Sequence, residues 1–164
     1  MAFLLFITFI ICLRLGELLL SHNNAKWLLQ NGAIEYGHKH YPFMVALHFL
    51  FIISLIVEYY IQRPVGYSQF FLIFYFVLIA LKIWIVSSLG RFWNTRIYRI
   101  PGVPLKKKGL YAYLAHPNYI IVIAEIAVIP LVFHLYFTAV TFTILNMMML
   151  VIRIREENKA LRIE

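Results

Sequence analysis

The residues able to do chemistry gather in two short stretches about 35 positions apart. One is Gly109-Leu110-Tyr111 followed by His116-Pro117-Asn118-Tyr119; the other is Arg153-Ile154-Arg155-Glu156-Glu157. Pro117 suits the first turn of a helix, where its missing N–H costs nothing. His116 and Asn118 then flank a helix N-terminus, whose free backbone donors can hold an anionic group. Tyr111 and Tyr119 add flat aromatic faces that attract cations and stack on nucleobases. Arg153 can hold a carboxylate or phenolate, and Glu156 and Glu157 can hold an ammonium or a ribose hydroxyl. These parts suit a ligand bearing an adenine, a carboxylate and a positive charge. The same letters also read as a plain helix cap with an interfacial tyrosine, and a basic stop sequence followed by surface ion pairs.

The elements that must bring these stretches together are membrane helices. Of the 164 residues, 63% are hydrophobic and 13% charged, against roughly 25% charged in a soluble domain. The apolar runs have the length a bilayer requires. The reading is a single, all-α integral membrane domain over residues 1–164 with about five transmembrane helices, and any chemistry lies within or at the edge of the bundle. Three spans are expected in 1–89, at about Ala2–Leu20, Phe43–Ile61 and Tyr67–Leu89, with Ser21–Pro42 a loop or interfacial segment. The first reads as a retained span rather than a signal peptide, since no basic region precedes it and no small-residue cleavage site follows. Arg14 and Glu17, three apart, share a helix face and can pair. Lys82 should face the bundle, with Glu58 or Glu125 as a partner; Glu125 would otherwise line a substrate tunnel.

Residues 90–118 form a basic loop that Pro101-Gly102 and Pro104 keep from being one helix. The 34 residues from Tyr119 to Ile152 would make a helix of about 51 Å, too long for a hydrocarbon core of about 30 Å. A helical hairpin turning near Pro130–His134 is expected over 119–152, with 153–164 as a tail. The hairpin returns Arg153, Glu156 and Glu157 to the face that holds His116.

Charge sets the orientation. The Gly90–His116 loop carries six Lys/Arg, including Lys106, Lys107 and Lys108, and the tail carries four, whereas the turn at Arg63 carries one. Lys/Arg-rich loops stay cytoplasmic, so the expectation is a multi-pass protein of the plasma membrane, N-terminus outside and C-terminus cytoplasmic. The net charge of +8 thus meets anionic lipid headgroups; no basic face stands apart to bind nucleic acid. Cys12 is the only cysteine, which rules out an intrachain disulfide. His38 and His40 lack a third ligand in sequence, and no metal site is expected.

The order Leu89-Gly90-Arg91-Phe92-Trp93, Gly109-Leu110-Tyr111, His116-Pro117-Asn118-Tyr119, an apolar hairpin and Arg153 to Leu161 resembles the isoprenylcysteine carboxyl methyltransferase family. That family's hallmark is G-x-Y, R-H-P-x-Y, an apolar stretch and E-E-x-x-L. Arg14-x-x-Glu17, Trp27, Gly32 to Gly37 and His40-Tyr41 resemble its small bacterial branch, which includes enzymes that methylate the hydroxyl of alkylpyrones and phenolic lipids. The resemblance implies an S-adenosylmethionine-dependent O-methyltransferase without a Rossmann domain, acting on a lipid-like substrate that enters sideways from the membrane. It implies cofactor contacts at Tyr111, His116, Pro117 and Tyr119, to which the reading of the residues adds Asn118 and Glu156, and it places Arg153 and Glu157 near the transferred methyl group. The alternatives are carboxyl methylation of a prenylated cysteine or N-methylation of a lipid headgroup. A non-catalytic membrane protein or small transporter is the alternative outside enzymes. Three departures stand out: Ala115 replaces the family arginine before His-Pro, the E-E-x-x-L register fits either Glu156-Glu157 or Glu157-Asn158, and the chain stops at Glu164.

Overall fold

Along α1 (Ala2–Gln30) the buried positions are Phe3, Phe6, Ile7, Ile10, Ser21, Asn24 and Leu28. Steps of three and four define one helix face, and Arg14 and Glu17 fall on it too. The inward stripe therefore begins apolar, turns charged at mid-helix and ends polar. This structure, a computed structural model, describes residues 1–104 and 108–161. Lys106 and Lys107 of the basic loop, Glu164 and the side chain of Leu161 lie outside the described residues.

Helix α1 runs ten residues past the expected span. Ser21–Gln30 are helical rather than interfacial loop, because the polar end of the stripe has partners. Ser21 Oγ donates to Asn94 Oδ1 at 2.9 Å, and Asn24 Nδ2 donates to the Trp93 carbonyl at 2.7 Å. Beyond it, β1 (Ile34–Tyr36) pairs antiparallel with β2 (Ile97–Arg99), Glu35 opposite Tyr98. This small ribbon, an addition to the expected all-helical plan, ties the first connection to the basic loop. Strands of three residues are too short to show a period in sequence.

Helices α2 (Tyr41–Gln62), α3 (Gln69–Leu89), α4 (Pro117–Leu131) and α5 (Tyr136–Leu161) complete the bundle. Helices α4 and α5 form the expected hairpin, turning through Val132–Leu135 with His134 at φ 60°. Among the described residues four helices are long and apolar enough to span a bilayer; α4, with 15 residues, is shorter. Its far end still reaches the α2–α3 connection, where the Ser68 N–H bonds the Val132 carbonyl at 2.8 Å. The outward faces carry large apolar side chains all round: Phe43, Phe49, Phe70, Ile83, Val140 and Met148 are each at least 61% exposed. A water-soluble monomer does not expose apolar surface on that scale. The chain is a multi-pass, all-α membrane protein.

Of the two partners open to Lys82, Glu125 is the one it takes, and the pairing with Glu58 does not form. Glu58 accepts the Phe137 and Thr138 N–H groups at 3.0 and 2.8 Å, because the start of α5 offers unpaired donors and a positive dipole end. Lys82 instead reaches Glu125 of α4 and Glu17 of α1, each at 2.7 Å. Arg14 bridges the same two carboxylates at 2.8 Å each. Two cations and two anions thus form a closed ring at membrane depth, joining α1, α3 and α4.

Candidate functional site

Pro117 opens α4 with His116 at its N-cap. One turn of helix then brings Tyr119 beneath the His116 ring, the two stacked 5.1 Å apart at an interplanar angle of 10°. The hairpin brings the last turns of α5 alongside. The Tyr119 hydroxyl donates to Glu157 Oε2 at 2.6 Å and accepts from Arg153 Nε at 2.8 Å. His116 Nδ1 lies 3.5 Å from the same Glu157 oxygen. Arg153 is buried, and its other nitrogen reaches the Met44 sulfur of α2 at 2.8 Å. A guanidinium, a phenol, a carboxylate and an imidazole are thereby chained together from two stretches at least 34 positions apart.

This chain lines one side of a cavity of about 390 Å3, within the roughly 300–1,000 Å3 usual for small-molecule sites. Tyr111, His116, Asn118, Tyr119, Arg153 and Glu157 all face it. Pro117 starts the helix without lining the cavity. Glu156 points elsewhere: it pairs with Lys159 and packs against the turn at Gly37 and His40. The opposite wall comes from residues that the sequence reading did not place at the site: Leu28, Trp93, Asn94, Arg96 and β2. Trp93 belonged to a motif, but only the β1–β2 ribbon, invisible in sequence, turns that loop across the cavity mouth. Arg155 is exposed and does not line the cavity; among the described residues the arginines on the wall are Arg96, Arg99 and Arg153.

The lining is unevenly satisfied. Among the described residues, Trp93 Nε1 and Asn118 Oδ1 are buried without a hydrogen-bond partner. One is a donor and the other an acceptor, and an unpaired buried polar atom is costly. Burial, and then the nearby Glu157 carboxylate, push the Tyr111 phenol up to about 12, with Arg153 opposing. Burial first, then the Arg153 charge, hold the His40 imidazole below its ordinary value. A partly open recess with aromatic walls, a carboxylate, an unpaired donor and an unpaired acceptor is chemically compatible with a nucleoside carrying both charges of an amino acid. Among the described residues, no group of three or more His, Cys, Asp or Glu converges as a metal site would require.

The chain is 40% identical to the uncharacterized protein YpbQ of Bacillus subtilis, over 98% of this chain and 96% of that protein. It is 28% identical to an uncharacterized protein of Haemophilus influenzae, over 93% of this chain and 90% of the relative. No solved structure matches the chain at a significant level. Residues 71–163, which include α4, α5, the basic loop and every expected site residue, match the isoprenylcysteine carboxyl methyltransferase (ICMT) family. A membrane-embedded hairpin with its polar residues gathered at the cavity, matched over more than half its length to this family of membrane methyltransferases, belongs to the ICMT family.

Proposed function

We propose that this protein is an S-adenosylmethionine-dependent O-methyltransferase whose acceptor is a membrane-soluble lipid, such as an alkylpyrone or phenolic lipid. The observation that carries the reading is the Arg153–Tyr119–Glu157 chain on the wall of a cavity of cofactor size. Bound there, the cofactor supplies a methyl group on a positively charged sulfur. Tyr111, Asn118 and Trp93 hold its nucleoside and amino-acid parts, His116 and Tyr119 flank it with their stacked rings, and Glu157 offers negative charge. Pro117 keeps the first turn of α4 in place. Glu156, turned toward Lys159, acts through the position of the α5 terminus.

Arg153 orients the acceptor. An oxyanion, from a 4-hydroxypyrone or a carboxylate, meets its guanidinium with charge-assisted hydrogen bonds. The cofactor would supply an electrophilic methyl group there, and an acceptor already ionised would need no proton removed; a phenol, neutral at about pH 7, would first give up its proton. Displacement by an ionised acceptor depends on alignment and the exclusion of water rather than on acid–base groups. The burial of Arg153 and Tyr119 supports that role. The family's description favours a second acceptor, a prenylated cysteine carboxylate, which Arg153 would hold in the same manner. The Lys/Arg-rich loop and tail support an orientation in which the cavity opens to the cytoplasm.

Calorimetric titration of the detergent-purified protein with S-adenosylhomocysteine tests the reading. One-to-one saturable binding is expected, weakened in His116→Ala and Glu157→Gln and unchanged in His38→Ala. A folded wild-type protein that binds nothing would refute it. Methyl transfer to alkylpyrone, phenolic and prenylcysteine acceptors then selects the substrate.

A further inference from the structure

One inward-facing group near Arg153 has no part in the reading above. Along α2, Met44, His48, Phe51, Leu55 and Glu58 recur in steps of three and four, which is one helix face; Phe51, Leu55 and Glu58 on it are buried. Side chains on a helix lean toward its N-terminus, so the His48 ring lies back over the turn that begins at Met44. There its Nδ1 donates to the Met44 carbonyl at 2.8 Å, while Arg153 donates to the Met44 sulfur at 2.8 Å. Imidazole and guanidinium are thus held against two ends of one residue. With Nδ1 as the donor, Nε2 of the neutral ring keeps a lone pair, and among the described residues it has no hydrogen-bond partner. The other bases nearby are engaged. Glu157 accepts from Tyr119 and faces His116, Glu156 pairs with Lys159, and Glu17 and Glu125 each bind both Arg14 and Lys82.

We propose that His48 is the proton acceptor for a neutral acceptor hydroxyl: Nε2 takes the proton of a hydroxyl lying on Arg153, within the reach of one bridging water. The O–H bond breaks and an N–H bond forms. The electron pair stays on the oxygen, an anion beside the Arg153 guanidinium, and the imidazole becomes an imidazolium. Arg14, Glu17 and Lys82 lie within electrostatic reach of the ring, so the new charge forms beside a set that, together with Glu125, already cancels. The inference rests on the methyltransferase reading above and supplies the step that a phenol needs and an ionised acceptor does not. It also gives α2 a part in the chemistry, on the side of Arg153 that faces away from Tyr119 and the cofactor cavity.

The test uses the full chain in phosphatidylglycerol vesicles and two acceptors with the same tail: an alkylphenol, neutral at about pH 7, and an alkyl 4-hydroxypyrone, ionised there. His48→Asn keeps a donor for the Met44 carbonyl and removes Nε2. It should lower kcat on the alkylphenol about 100-fold more than kcat on the pyrone. Raising the pH should restore part of the alkylphenol rate in the variant, because the phenol then ionises unaided. S-adenosylhomocysteine affinity should be unchanged, since His48 does not line the cavity. His48→Gln repeats the test should the first variant fold poorly. A second readout needs no turnover. An alkyl-4-nitrophenol bound in the presence of S-adenosylhomocysteine should show the absorbance of its anion in wild type at a pH where the free compound is neutral, and lose it in His48→Asn. Equal losses on both acceptors, an unchanged anion band, a wild type that methylates no phenol, or a phenol-specific loss in His40→Gln instead would overturn the proposal. Failure of the wild type to bind S-adenosylhomocysteine is read separately and would count against the enzyme assignment.

Discussion

The Lys82 ammonium lies 2.7 Å from the Glu125 carboxylate, with side chains only 7% and 2% exposed. Arg14 and Glu17 close the ring around them. At membrane depth a lone charge is costly, so the four charges persist as a neutral set. Glu125→Ala leaves Arg14 and Lys82 to share Glu17, and should cost about 3–5 kcal/mol, as breaking one side of a buried pair does. Thermal unfolding in detergent micelles measures this. The double variant Lys82→Met, Glu125→Ala, which leaves Arg14 paired with Glu17, should recover part of the loss.

Tyr119→Phe tests the bridge between the two polar stretches. It deletes one hydroxyl that both accepts from Arg153 and donates to Glu157, while the stack on His116 remains. Hydrogen bonds to charged groups contribute about 1.5–3 kcal/mol, so methyl transfer should fall about 10- to 150-fold. Folding measured by circular dichroism should be little changed. If Tyr119 is only a packing residue, the phenylalanine variant should retain wild-type turnover.

Glu58 caps α5 from a neighbouring helix. Glu58→Gln keeps the shape but removes the charge that faces the first N–H groups of α5. A loss of about 1–2 kcal/mol in unfolding free energy is expected from the lost cap and dipole interaction. Ser54→Ala, which removes the adjacent hydroxyl contact to Thr138, should cost less.

Gly109 has φ +60°, and a side chain there would run into Ser88. Gly109→Ala should therefore destabilise the loop by about 1–2 kcal/mol through backbone strain alone, and more through the clash. Ser88→Gly in the same chain should relieve the clash and leave the strain. Cofactor affinity should follow, because Tyr111 stands two residues on.

Tyr111 should ionise late. Its folded-state value of about 12 lies above the ordinary phenol value of about 10. The stabilisation this represents is intact below pH 10 and is lost as pH rises through about 12. The tyrosinate absorbance of wild type minus that of Tyr111→Phe should show one phenol titrating near the upper value. In Glu157→Gln that phenol should titrate earlier, since a nearby negative charge is gone.

The sequence by itself determined that this is a helical membrane protein, roughly where its apolar helices lie and which polar residues make up the two motif stretches. Hydrophobic run length, proline and charge placement are local properties, and the bilayer acts on them locally. The hairpin was legible because a largely apolar stretch of 34 residues is too long to cross as one helix. The pairing of Arg14 with Glu17 was legible because both lie on one turn. Lys82 was readable as inward-facing, but not its partner: Glu58 and Glu125 were both within the range of choice, and helix packing sent one to the α5 terminus and the other to the ring. The tertiary structure alone closed the cavity. Its second wall depends on two three-residue strands and on α1 continuing past its apolar stretch, and both are held by contacts between residues more than 60 positions apart. Likewise Glu157 faces the cavity and Glu156 does not, because the hairpin's packing sets the rotation of α5 relative to α4, and no pattern of letters along one helix fixes that angle.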